Sequence, residues 1–164
     1  LDLAELMQDA VDEVWAAASA KLIQINTEDV QEEALVSGDR DLLTRAFLNL
    51  LSNAIKYSPP ETNIRCSVVS SGAAWRVQVA YEGYGIAGED LSRLFMRFVR
   101  LRTQGQPEEA GIGLGLVFVR TVAERHGGTV EVASRTSADA GGPRGTTFTV
   151  TLPVARDAGE AGAD

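Results

Sequence analysis

The 164-residue chain carries 23 Asp and Glu against 15 Lys and Arg, a net charge of −8, and such an acidic balance argues against a nucleic-acid partner. Its 45% apolar content suits one domain with a full core, and its length is too small for two comfortable ones. No apolar run approaches the ~20 residues that span a bilayer, and one cysteine and one histidine exclude an internal disulfide and a zinc-type Cys/His cluster. Cys66 falls in an alternating, strand-like run and reads as a packed residue; a lone thiol suits a reducing compartment. Leu1 is not an initiator Met and no basic-then-apolar leader follows it, so the chain is expected to be part of a longer protein.

From the N-terminus, residues 2–20 place Leu3, Leu6, Met7, Ala10, Val11, Val14 and Trp15 at helical spacing, which predicts one apolar helix face. Residues 21–26 alternate as a short strand, and 34–38 read as another. Asp39 is an N-cap candidate for a helix running to about Tyr57, stopped by Ser58-Pro59-Pro60, with Leu42, Leu43, Ala46, Phe47, Leu50, Leu51 and Ala54 as its buried face. Residues 63–71 and 74–81 flank Gly72 as a β-hairpin. A short helix is expected near 89–95, and residues 101–110, without periodicity, read as a flexible loop. Gly111 to Gly115 lead into a helix ending near His126, at Gly127-Gly128. Strands at 129–135 and 146–154 follow, and the small, polar residues 155–164 read as a disordered tail or linker behind a domain covering 1–154. The order predicts an α/β two-layer sandwich, a mixed and mostly antiparallel sheet with helices on one face.

Two segments carry chemistry. On the Asp39 helix, Asn49, Asn53 and Lys56 share one stripe beside Tyr57, and the two amides interrupt an apolar seam. A buried amide needs partners. An Asn carbonyl oxygen suits Mg²⁺, and a Lys can neutralise a phosphate; the alternative for this helix alone is Asn side chains that satisfy local backbone. The second segment is GIGLGL, Gly111 to Leu116. Its glycines let backbone N–H groups approach phosphates at a helix N-terminus. It lacks the Gly-Lys-Ser/Thr of a P-loop and does not open a dinucleotide-type βαβ unit.

The order SNAIKYSP, EGYGI, LFMRFVR, GIGLGL, ERHGGTVEV, GTTFTVTLP resembles the catalytic ATP-binding domain of two-component sensor histidine kinases, with the Bergerat ATPase fold. The resemblance covers nearly the whole chain. It implies Mg²⁺ at Asn53, phosphate contacts from Asn49, Lys56 and Arg100, and Tyr57 beside the adenine. It implies a glycine-rich phosphate turn of Gly111, Gly113, Leu114, Gly115 and Leu116, an ATP lid at 101–110, and Thr146 at the adenine end. It also implies ATP and Mg²⁺ as cofactors, a cytoplasmic domain without direct membrane contact, a separate dimerisation domain carrying the phospho-accepting His, and a response regulator served indirectly. His126, in ERHGG at a helix C-terminus, reads as a capping or surface residue, so this chain alone is not expected to autophosphorylate.

One departure is sharp. The family's turn reads Asp-x-Gly-x-Gly-Ile, its Asp accepting from the adenine amine. Gly83, Gly85 and Ile86 align, and Tyr81 stands at the Asp position. Glu82 is adjacent but belongs to the opposite strand face. Losing one charge-assisted bond costs roughly 1.5–3 kcal/mol. ATP-hydrolysing relatives carry a Glu one turn before the metal-binding Asn, where this chain has Asn49. The expectation is a histidine-kinase ATP-binding domain with weakened nucleotide binding; the alternative is a non-catalytic, pseudokinase-like interaction module that binds no ATP.

Overall fold

Two helices of 18 residues begin in the same way, with an Asp whose side chain accepts a backbone N–H of the first turn: Asp2 from Ala4 before α1 (Leu3–Ala20), and Asp39 from Leu42 before α2 (Arg40–Tyr57). The computed structural model describes residues 1–83, 113–135 and 145–155, without the side chains of Gly113, Leu114 and Arg135. Between and after the two helices come β1 (Gln24–Val30), β2 (Asn63–Ser71), β3 (Ala74–Glu82), α3 (Gly113–Arg125), β4 (Thr129–Arg135) and β5 (Gly145–Pro153).

The strands form one sheet in the order β1-β2-β3-β5-β4, with β1 parallel to β2 and every other pair antiparallel. The expected hairpin is β2–β3, turned at Gly72, whose φ of 64° suits a residue without Cβ. Alternation sorts the sheet into two faces. Ile64, Cys66 and Val68, then Val77 and Val79, then Phe148, Val150 and Leu152 are buried under the helices. α2 is the middle helix, packed against α1 on one side and α3 on the other. Its predicted buried face holds, except that Leu42 is only half-buried, and it gains Ile55 and Tyr57. Arg40 reaches Glu5 and Asp9 of α1, but these exposed pairs contribute little. The predicted two-layer, mostly antiparallel α/β fold is therefore the observed one.

Three local expectations are corrected. The strand expected at 34–38 is a single bridge, Leu35 to Asp2, because its partner becomes helical at Leu3 and ends the ladder. The strand expected at 21–26 starts at Gln24 and continues to Val30, because Lys21 caps α1 and Leu22 turns with a φ of 59°. Trp15 leaves the core face of α1 and is 66% exposed; Val14 and Ala18 fill that face, and Trp15 lies ~100° round the helix from Val14. The short helix expected at 89–95, the 101–110 loop and residues 156–164 lie outside the described residues. Ala155 donates its N–H to Leu35 O. No described helix is long and apolar enough to cross a membrane.

Candidate functional site

The two segments singled out in the sequence meet. Asn49 Nδ2 donates to the carbonyl of Gly115 at 3.3 Å, tying α2 to the first turn of α3. Arg45 adds a cation–π contact to Phe118 across the same helix pair, 5.8 Å from the ring centroid. One turn on, Asn53 is half-buried, and its side chain makes no hydrogen bond among the described residues. Lys56 is exposed on the same stripe. Tyr57 closes the helix and is buried.

The C-terminal end of α2 abuts the end of β3. A Cβ on Gly83 would stand 2.8 Å from the Tyr57 carbonyl oxygen, a backbone atom that cannot swing away, so this close approach requires glycine. The sequence order of the two motifs thus becomes one wall, formed by Asn49, Asn53, Lys56 and Tyr57 of α2 with Gly83 at its foot. Within α3, Gly113 opens the helix, Gly115 supplies the carbonyl to Asn49, and Leu116 turns inward to the core. Gly85, Ile86, Arg100 and Gly111 lie outside the described residues, as does the backbone before Gly113.

Tyr81 is buried on the helix-facing side of β3, directly opposite Thr146 of β5 and Ile64 of β2. Glu82, its neighbour, is exposed on the other face. The strand therefore delivers a phenol, not a carboxylate, to this position. Thr146 hydrogen-bonds the Tyr81 side chain and also lies 2.8 Å from Ser134 Oγ, which donates to Gly145 O at 3.0 Å. The three hydroxyls of Tyr81, Thr146 and Ser134 thus form one hydrogen-bonded chain. Burial pushes the Tyr81 phenol well above the usual tyrosine range; the Thr146 bond opposes this and the nearby Tyr57 adds to it. Burial thus holds Tyr81 neutral. A cavity of about 1040 Å³ crosses this end of the sheet and reaches Tyr81, Ser134 and Thr146; none of its lining residues is on α2, so it is separate from the Asn49–Asn53 stripe.

Two contributors, and one contact of a third, escaped the sequence. Ser134 shows only as an alternating strand residue. Lys21 spends its ammonium on the far end of α2, donating to the carbonyls of Ile55 at 2.8 Å, Ser58 at 2.7 Å and Lys56 at 3.4 Å, a contact across more than thirty residues that no local pattern signals. His126 is confirmed as a capping residue, with Nδ1 2.7 Å from Val122 O, but its other nitrogen accepts the Asp39 N–H, joining α3 to α2.

Residues 38–156 match the model of the family described as histidine kinase-, DNA gyrase B-, and HSP90-like ATPase. The chain is 36% identical over 154 residues to the sensor-like histidine kinase SenX3 of Mycobacterium tuberculosis, covering 94% of this chain and 36% of that protein. It is 39% identical over 158 residues to the sensor histidine kinase CusS of Escherichia coli K12, covering 94% and 30%. The chain thus spans about a third of the length of these curated relatives. Among solved structures, the mycobacterial sensor histidine kinase MprB superposes with a TM-score of 0.82 at 29% identity, covering 96% of this chain and 99% of that one. The nucleotide-free catalytic domain of the histidine kinase ThkA has a TM-score of 0.78 at 24% identity, covering 94% of each chain, and shares the fold.

Proposed function

Given that the chain belongs to the histidine kinase-, DNA gyrase B- and HSP90-like ATPase family, and within it corresponds to the catalytic ATP-binding domain of sensor histidine kinases, we propose that it holds Mg-ATP weakly against the α2 wall for phosphoryl transfer to a histidine on a separate domain. The observation that carries this reading is the Asn49–Gly115 bond, which brings the amide stripe and the glycine-rich helix start together. The residues fit such a ligand. Asn53 is a half-buried amide with no described protein partner, one turn from Asn49, and Lys56 adds an exposed cation on the same stripe.

The nucleotide would supply the phosphoryl group and, with Mg²⁺, the charge to be neutralised. Asn53 offers a carbonyl oxygen to the metal. Lys56, with Arg100, neutralises phosphate charge. The backbone around Gly113 and Gly115 lies at a helix N-terminus, which favours anions. Transfer of this kind depends on positioning and electrostatics, so Asn49 in place of a water-activating Glu is compatible with a kinase.

The weakening is assigned to Tyr81. An ionised carboxylate accepts strongly from an amine, whereas a neutral phenol accepts weakly and fills more space. That buried ring is also the observation favouring a second reading, an interaction module of this fold that binds no nucleotide. Thermal unfolding with and without an Mg-ATP analogue separates the two, because a ligand of the native state raises the midpoint. A rise supports the nucleotide reading; an unchanged midpoint at millimolar analogue favours the interaction module.

A further inference from the structure

The last carbonyls of an α-helix have no partner within the helix, and the helix dipole makes that end negative. In α2 the arrangement at this end is unusual. The Ala54 carbonyl is taken by the N–H and hydroxyl of Ser58. The Tyr57 carbonyl faces Gly83. The carbonyls of Ile55, Lys56 and Ser58 converge instead on one point, the ammonium of Lys21. Lys21 is itself fixed, since its N–H bonds Ala18 O and its carbonyl accepts from Glu61 N. Its ammonium has three donors and no acceptor, which matches three carbonyl oxygens.

We propose that these three carbonyls form a monovalent-cation cradle filled from within by Lys21, and that the cation makes Lys21 a positioning residue for the last turn of α2, where Lys56 and Tyr57 stand. Rings of backbone carbonyls replace the hydration shell of a potassium ion in the same way that they receive an ammonium. Emptying the cradle leaves three carbonyls at the negative end of the helix with only water to face. A free potassium or ammonium ion then enters in place of the side chain. The consequence for binding rests on the nucleotide reading above; the cradle itself does not.

The test uses the 164-residue chain with Lys21→Ala and Lys21→Met, melted in potassium, ammonium or choline chloride at equal ionic strength. Both variants are expected to melt about 4 °C or more below the wild type in choline. Potassium or ammonium should restore at least half of that loss in Lys21→Ala. Lys21→Met, whose stem and methyl fill the space, should not respond. The wild type should be insensitive to the choice of cation. A Lys21→Ala midpoint equal to the wild type in choline, or the same in choline as in potassium, overturns the cradle. Affinity for an Mg-ATP analogue gives the second readout. A fall of about fivefold in Lys21→Ala, recovered by potassium, supports the positioning role, and unchanged affinity in choline overturns that role. If the wild type binds no analogue, the positioning role falls together with the nucleotide reading, while the melting series still decides the cradle.

Discussion

The backbone N–H of Asp39 donates to Nε2 of His126 at 3.0 Å, so the N-cap of α2 hangs on the C-terminal end of α3. The other ring nitrogen then carries the proton and donates to Val122 O at 2.7 Å. The ring packs closely against Gly38, where an added Cβ would come within 2.2 Å of its Cδ2. One imidazole therefore joins α2 to α3.

Gly38→Ala is expected to destabilise the protein by about 1–3 kcal/mol, because the methyl displaces a ring held at both nitrogens. His126→Ala should cost about 1 kcal/mol. The double variant should cost less than the sum, since the ring that the methyl strikes is gone. Denaturant melts of the three variants measure the coupling, and strictly additive losses would contradict the arrangement.

Cys66 gives a pH prediction. Burial pushes its thiol up to about 12, against an ordinary value of 9.0. The folded state thus keeps a proton that the unfolded chain releases. The stability it contributes is full below pH 9 and declines as pH rises from about 9 to 12. At pH 10 the loss from this group is roughly 1–2 kcal/mol. Cys66→Ala should flatten that part of the stability curve, measured against pH 8, and an identical slope in the variant would contradict it. The same burial predicts slow alkylation of the native thiol at pH 8, with fast reaction only after unfolding.

Asn53 separates site from scaffold. The residue is half-buried in mid-helix and makes no described hydrogen bond, so Asn53→Ala should leave stability within about 0.5 kcal/mol of the wild type, helped by the better helix propensity of Ala. Asn53→Ala and Asn53→Asp should both abolish Mg-ATP analogue binding. Calorimetry showing unchanged affinity in either would remove Asn53 as metal ligand.

Much of this was legible because it is periodic or punctuated. α2 could be read from Asp39 to Tyr57, since its N-cap, apolar stripe and Ser58-Pro59-Pro60 stop are all local signals. Alternation correctly put Tyr81 and Glu82 on opposite faces of the strand. What failed was long-range. Leu35 looked like strand because nothing nearby says that its partner turns helical at Leu3. Trp15 looked buried because hydrophobicity alone does not tell how far round a helix its buried face extends. Lys21 and Ser134 act only through partners brought by folding. Gly83 was recognised as a turn residue, but the backbone that demands it, the Tyr57 carbonyl, is a tertiary neighbour.

The account turns on Tyr81, whose hydroxyl is committed to Thr146 where a carboxylate is expected. The phosphate side of the wall retains Asn49, Asn53 and Lys56, so the defect should be local and reversible. Tyr81→Asp restores an acceptor for the adenine amine and removes the ring. The lost packing will lower stability by about 2–4 kcal/mol, so the titration belongs at low temperature with folding checked. Tyr81→Ala serves as the control that removes bulk without adding charge. The decisive measurement is calorimetric titration of wild type, Tyr81→Asp and Tyr81→Ala with an ATP analogue and Mg²⁺. Binding at least ~10-fold tighter in Tyr81→Asp than in the wild type, and tighter than in Tyr81→Ala, is the predicted result. Tight wild-type binding that weakens in Tyr81→Asp would contradict it.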